Sequence, residues 1–210
     1  MNPKAKAFAA LIALLGWFAI IMQFYLIIEN RIDSIPVTIL RFFSFFTILT
    51  NIIVAFAFTM QCLKKGSNHF FAGARVQTAV TVYIVVVGAV YNLILRFLWQ
   101  PQGTQRLVDE LLHSVVPFLS IIYWLVFVQK TSLQWKDSFK WQLFPVAYVV
   151  FIVVRGLLSG EYPYPFINVT AIGYPQALLN GCVLMLVFMG LSLFLIAIGK
   201  WISRKHTQML

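Results

Sequence analysis

The sequence predicts an all-α polytopic membrane protein, with six transmembrane helices in one bundle that forms a single domain over 1–210. Three observations lead there. Hydrophobic residues make up 61% of the chain and charged residues 10%, with a mean hydropathy of +0.87. Six apolar stretches are each long enough to cross a bilayer core of about 30 Å, which takes about 20 residues. The basic residues, finally, fall in alternate connecting segments. No room is left for a soluble domain.

The spans are expected at roughly 7–28, 39–62, 76–98, 109–129, 141–158 and 178–199. The first follows Lys4 and Lys6 and runs for about 22 residues, longer than the 7–15 of a signal-peptide core, so it is expected to stay in place. The N-terminus, the second loop (Lys64, Lys65, Arg75), the fourth loop (Lys130, Lys136, Lys140) and the tail (Lys200, Arg204, Lys205) hold eleven basic residues on one side. Glu29, Asp33, Asp109, Glu110 and Glu161 fall on the other. Cytoplasmic loops carry the Lys/Arg excess, so both termini are expected in the cytoplasm, in a cell membrane. The formal net charge of +10 then reads as topogenic charge near anionic headgroups, and nucleic acid is not an expected partner.

Cys62 and Cys182 lie near opposite membrane faces, beyond the reach of a disulfide. Trp135, Trp141 and Trp201 sit beside lysines, as interface anchors do. In the loop 159–177, Glu161-Tyr162-Pro163-Tyr164-Pro165-Phe166 cannot form a helix. It reads equally as a lid over the outer mouth and as an ordinary interfacial turn.

Polar residues inside the spans carry the functional signal, because lipid makes them costly. In span 2, Arg41, Ser44, Thr47 and Asn51 fall within an arc of about 120° on one helix, and Thr50 lies about 60° beyond. Span 3 ends with Asn92, Arg96 and Trp99 on one face, and span 5 carries Arg155 near its outer end. Arg41, Arg96 and Arg155 therefore sit at the outer rim of three helices. Arginine's planar fork suits a carboxylate or phosphate. Pairing with the outer acids, which would hold helices together, is the other reading. His113 is the one histidine within a span; His69 and His206 sit among basic residues. Asp109, at i−4, is close enough to orient its imidazole. By the rise of a helix, Thr47 lies about 12 Å and His113 about 6–8 Å below the outer boundary, depths compatible with contact between neighbouring spans. A hydroxyl beside a carboxylate-oriented histidine is the scheme of nucleophilic hydrolysis; a lone histidine also serves as a structural hydrogen-bonder.

One membrane histidine does not supply a haem or metal site, so no cofactor is expected. No G-x-S-x-G, H-E-x-x-H or P-loop pattern occurs. No acid lies at mid-span, where ion-coupled transport uses one.

Phe45-Phe46-Thr47-Ile48-Leu49-Thr50-Asn51, Leu112-His113-Ser114-Val115-Val116-Pro117-Phe118 and Tyr162-Pro163-Tyr164-Pro165-Phe166 together resemble the androgen-induced-gene family of six-span proteins and its bacterial relatives. The resemblance covers almost the whole chain. It implies a threonine hydrolase of fatty acid esters of hydroxy fatty acids, with the nucleophile at Thr47 and the histidine at His113. Thr50 is the alternative nucleophile. On this reading Asp109 orients the ring, Asn51, Asn92 or Arg96 supplies oxyanion donors, and Arg41, Arg96 and Arg155 hold a fatty-acid carboxylate. The cavity is expected between spans 2, 3, 4 and 6. The runner-up is a non-enzymatic lipid-binding or lipid-transport bundle using the same Arg and Asn residues.

Overall fold

A computed structural model describes residues 2–63 and 70–208, with side chains to residue 205. Lys64, Lys65, His69 and the His206 side chain lie outside the described residues. Six helical segments are long and apolar enough to cross a membrane: Pro3–Glu29, Phe46–Leu63, Ala74–Phe97, Gly103–Phe127, Asp137–Ser159 and Val169–Lys205. Each overlaps an expected span. The regular elements among the described residues are all helical, so the protein is an all-α bundle.

Helix α1 (Pro3–Glu29) starts on Asn2, whose side chain accepts from the Lys4 amide at 3.0 Å. It ends at Asn30, whose side chain returns to the Leu26 carbonyl at 2.9 Å. The second span departs from expectation. Its predicted polar stripe is divided between α2 (Ile35–Phe42) and α3 (Phe46–Leu63). Arg41 and Ser44 therefore do not share a helix face with Thr47 and Asn51. No Pro or Gly announces the break; tertiary contacts hold it. The Ser44 carbonyl that the break releases accepts from Tyr148 at 2.8 Å, and the buried Phe42 ring packs edge-on against Phe24 at 5.1 Å. The Ser44 hydroxyl donates to its own backbone at Leu40, 2.6 Å away.

Small residues let α1 and α3 approach. A Cβ on Gly16 would stand 3.1 Å from that of Ala55, and Ala9, Ala13 and Ala19 are buried. Such seams bring backbones together in lipid, where no hydrophobic force drives helices into contact. Polar bonds add to this. Trp17 donates to Thr59 at 3.0 Å, and Trp124 to Thr78 of α4 (Ala74–Leu93) at 2.8 Å. The fourth span is α5 (Gly103–Glu110), a π turn over Leu111–Val115, and α6 (Val116–Phe127). The fifth is α7 (Asp137–Trp141) with α8 (Leu143–Ser159). The last, α9 (Val169–Gln208), begins well before the expected 178 and kinks at Gly173, whose φ of 76° only glycine adopts readily.

The connections sort by charge. At one end Arg75 pairs with Asp137 at 3.2 Å. Lys130, expected at headgroup level, is buried there: it donates to the carbonyls of Leu125 and Val128, and burial draws its pKa down to about 8. Trp141 is likewise buried, and its carbonyl accepts from Tyr83, so it is no interface anchor. Arginines and acids gather at the opposite end. Both cysteines are free.

Gly88 marks the tightest approach that matters below. A Cβ there would lie 3.0 Å from the His113 carbonyl and 3.1 Å from Pro117. Gly88→Val is expected to cost about 1–3 kcal/mol of stability. Gly190→Ala, with open space around it, should stay within about 0.5 kcal/mol of wild type. Chemical denaturation in micelles checks both.

Candidate functional site

Pro117 sets the geometry around His113. It has no N–H to give to the carbonyls one turn below, and its ring would clash with the carbonyl at i−4. The chain widens here into the π turn over Leu111–Val115, and two carbonyls lose their usual partner. Side chains supply the replacements. Asn51 donates to the Leu112 carbonyl at 3.2 Å and also to Thr47 O at 2.9 Å. Asn92 donates to the His113 carbonyl at 3.2 Å and to Gly88 O at 2.8 Å. The amides expected as oxyanion donors are thus spent on backbone.

His113 is held on two sides. Its Nδ1 lies 2.9 Å from the backbone carbonyl of Asp109, and its ring stacks on Tyr91 at 4.0 Å. A carbonyl only accepts, so in the neutral ring Nδ1 carries the proton and Nε2 is the basic atom. The i−4 spacing therefore brings the Asp109 carbonyl to the ring, where its carboxylate was expected. The carboxylate instead accepts from Trp99 at 2.9 Å, Gln105 at 3.1 Å and Tyr91 at 3.5 Å. Its link to His113 runs through Tyr91, whose hydroxyl it accepts from and whose ring stacks on the imidazole.

Thr47 stands in the first turn of α3, and its amide donates to the Tyr164 hydroxyl at 3.5 Å. The helix break thus places Thr47 among the free amides of a helix N-terminus, where the macrodipole favours negative charge. Burial raises the Tyr164 phenol, which keeps it a proton donor at neutral pH. Thr50 is fully buried, lies outside the cavity wall, and its hydroxyl has no partner among the described residues.

Thr47 and His113 face one cavity of about 390 Å³, with no hydrogen bond between them among the described residues. Its walls come from α1 (Gln23), the α2–α3 region, the end of α4, the fourth span and the loop before α9. Helix α9 contributes none of them, contrary to the expected position between spans 2, 3, 4 and 6. It lines a second, apolar pocket that also includes Thr47. Pro163, Tyr164 and Pro165 roof the cavity, so the loop is placed as a lid.

Acids occupy the three arginines. Arg41 binds Asp33 at 2.7 Å and Glu161 at 3.0 Å. Arg155, itself buried, binds Glu161 at 3.1 Å and the Glu161 carbonyl at 2.9 Å. Arg96 pairs with Glu110 on the fourth span, donates to Ser114 at 3.3 Å and lies over the Tyr91 ring. Two of the three therefore meet, on Glu161, and they pin the lid. Arg96 belongs to a separate cluster. Sequence reasoning missed Tyr148, a lone tyrosine mid-span with no motif around it. It also treated Tyr164 only as part of a loop, although the Tyr-Pro-Tyr-Pro run marked the place.

The hydrogen bond from Arg41, with Arg155 beside it, holds the Glu161 carboxyl below its usual range. A depressed carboxylate contributes above its unfolded pKa of about 4.3, and that contribution is lost as pH falls through the lower folded value. Amides of 161–167 should therefore be protected from hydrogen exchange at neutral pH. After correction for intrinsic rates, they should lose that protection below about pH 4. Glu161→Gln should show the unprotected rate already at neutral pH.

Compared with protein-family models, curated proteins and solved structures, the chain finds no match.

Proposed function

We propose that the protein is an intramembrane lipid esterase with Thr47 as nucleophile and His113 as base. The observation that carries the reading is one cavity lined by both Thr47 and a histidine whose basic Nε2 has no hydrogen-bond partner among the described residues. Thr47 Oγ attacks the ester carbonyl carbon while His113 Nε2 takes the hydroxyl proton. The tetrahedral oxyanion replaces the Tyr164 oxygen at the Thr47 amide, with the Tyr164 hydroxyl as a second donor. Collapse expels the alkoxide, which takes the proton back from His113 and leaves an acyl-threonine. His113 then activates a water, which cleaves that ester to the free acid and restores the threonine. Water has a polar source: a vestibule lined by Arg41, Thr104 and Gln105 shares Trp99 with the cavity.

The likeness of three motifs to the androgen-induced-gene family supports fatty acid esters of hydroxy fatty acids as the substrate class. The charge pattern supports a cell-membrane location with the lysine end and both termini cytoplasmic. Bilayer lipid is the surrounding partner. The missing Thr47–His113 hydrogen bond favours a second reading, a lipid-binding bundle without chemistry, although catalytic bonds are often loose in resting enzymes.

Purified protein given such an ester should lose at least about 10²-fold in turnover in Thr47→Ala and in His113→Ala, each still folded. Thr50→Ala should retain its rate. Loss in Thr50→Ala with retention in Thr47→Ala moves the nucleophile. Full rates in both threonine variants leave the lipid-binding bundle. For topology, a cysteine placed in 159–177 should react with a membrane-impermeant reagent from outside intact cells.

A further inference from the structure

Behind Thr47 the interior does not close. The second, apolar pocket is narrow, about 60 Å³, and shares Thr47, Leu95 and Tyr164 with the catalytic cavity. That pocket in turn shares Val149, Ile167 and Met185 with a groove of about 720 Å³ that opens between α8 and α9. The groove wall is almost wholly apolar and includes Gly181 and Cys182. A series of voids with shared, mostly apolar walls therefore leads from the lipid-facing side of the bundle to Thr47.

From this continuity we infer that the α8–α9 groove is the acyl-chain site, through which a linear hydrocarbon chain enters laterally from the bilayer and delivers its ester to Thr47. The occupant follows from the shape. A helix of another protein is about 10–12 Å across and cannot follow the groove into the inner pocket, whereas a single methylene chain can. Aromatic side chains, Phe46, Tyr148 and Phe188 among them, line the inner pocket, whose small volume suits an unbranched chain and not a bulky headgroup. Polar access lies at the vestibule, which meets the cavity at Trp99 and shares no lining residue with the pocket or the groove, so chain and water have separate entrances. Gly181 leaves the groove open: no described residue lies within 4 Å of a Cβ built there. The destination of the chain rests on the esterase reading; the groove and its occupant do not.

Cys182 makes a reporter that needs no turnover. In Cys62→Ser/Thr47→Ala protein in nanodiscs, a hexadecanoyl ester at ten times its Kd should slow maleimide labelling of Cys182 about tenfold, and a butanoyl ester should not. Met185→Trp, which plugs the junction of groove and pocket, should reduce hexadecanoyl ester hydrolysis at least about tenfold while leaving butanoyl ester hydrolysis within about twofold. Gly181→Trp serves as a second plug in the groove. Equal loss on both esters in both plugs, or Cys182 labelling indifferent to the long chain, overturns the proposal. Wild-type protein that cleaves neither ester defeats the esterase reading alone; Cys182 protection then still decides the groove.

Discussion

A proline in the middle of a membrane helix is the constraint on which the site depends. Pro117 cannot complete the backbone ladder of the fourth span, and hydrocarbon offers no water to satisfy the carbonyls it strands. The bundle answers with one π turn and two asparagines from neighbouring helices, Asn51 and Asn92. Those asparagines fix α3 and α4 against the fourth span. Gly88, having no side chain, lets α4 come close enough for the bond to form. His113 sits inside that turn, so the defect and its repair together set where the imidazole points. An unsatisfied amide in a buried setting costs about 1–3 kcal/mol, which makes such a clamp hard to dispense with.

A second dependence joins the helix break at Phe43–Phe45 to the lid. Breaking the second span exposes the amides at the start of α3 and frees the Ser44 carbonyl. Two tyrosines take these positions, Tyr164 at the Thr47 amide and Tyr148 at the carbonyl. Tyr164 belongs to the loop that Arg41 and Arg155 hold through Glu161. The arginine that ends α2 thus secures the loop that closes over the start of α3. The lone acid between two arginines also keeps a buried guanidinium compensated, which a membrane-buried charge demands.

Asp109 shows how one side chain serves at a distance. Its carboxylate gathers Trp99, Gln105 and Tyr91, and Tyr91 forms the floor on which the imidazole stacks. The carboxylate thus touches the Tyr91 ring and not the imidazole, while the Asp109 backbone carbonyl accepts the direct hydrogen bond from His113 Nδ1.

Hydropathy alone determined the all-α class and the six spans, because a bilayer leaves an apolar segment of twenty residues no alternative to a helix. The single histidine within a span and the polar residues of spans 2 and 3 were legible for the same reason: lipid penalises them, so each stands out from its surroundings. Three things were not legible. The break before Phe46 carries no Pro or Gly and exists because Tyr148 and Glu161, both distant in sequence, hold Ser44 and Arg41. The fate of the arginines turned on which acids reach them: Glu161 is 120 residues from Arg41, and helical spacing says nothing about such a pair. The choice between the carboxylate and the carbonyl of Asp109 turned on Trp99, Gln105 and Tyr91, which engage the carboxylate and leave the carbonyl at i−4 to the ring. Local periodicity determined what lies inside the membrane; only the packing of helices far apart in the chain decided which polar groups remain free to act.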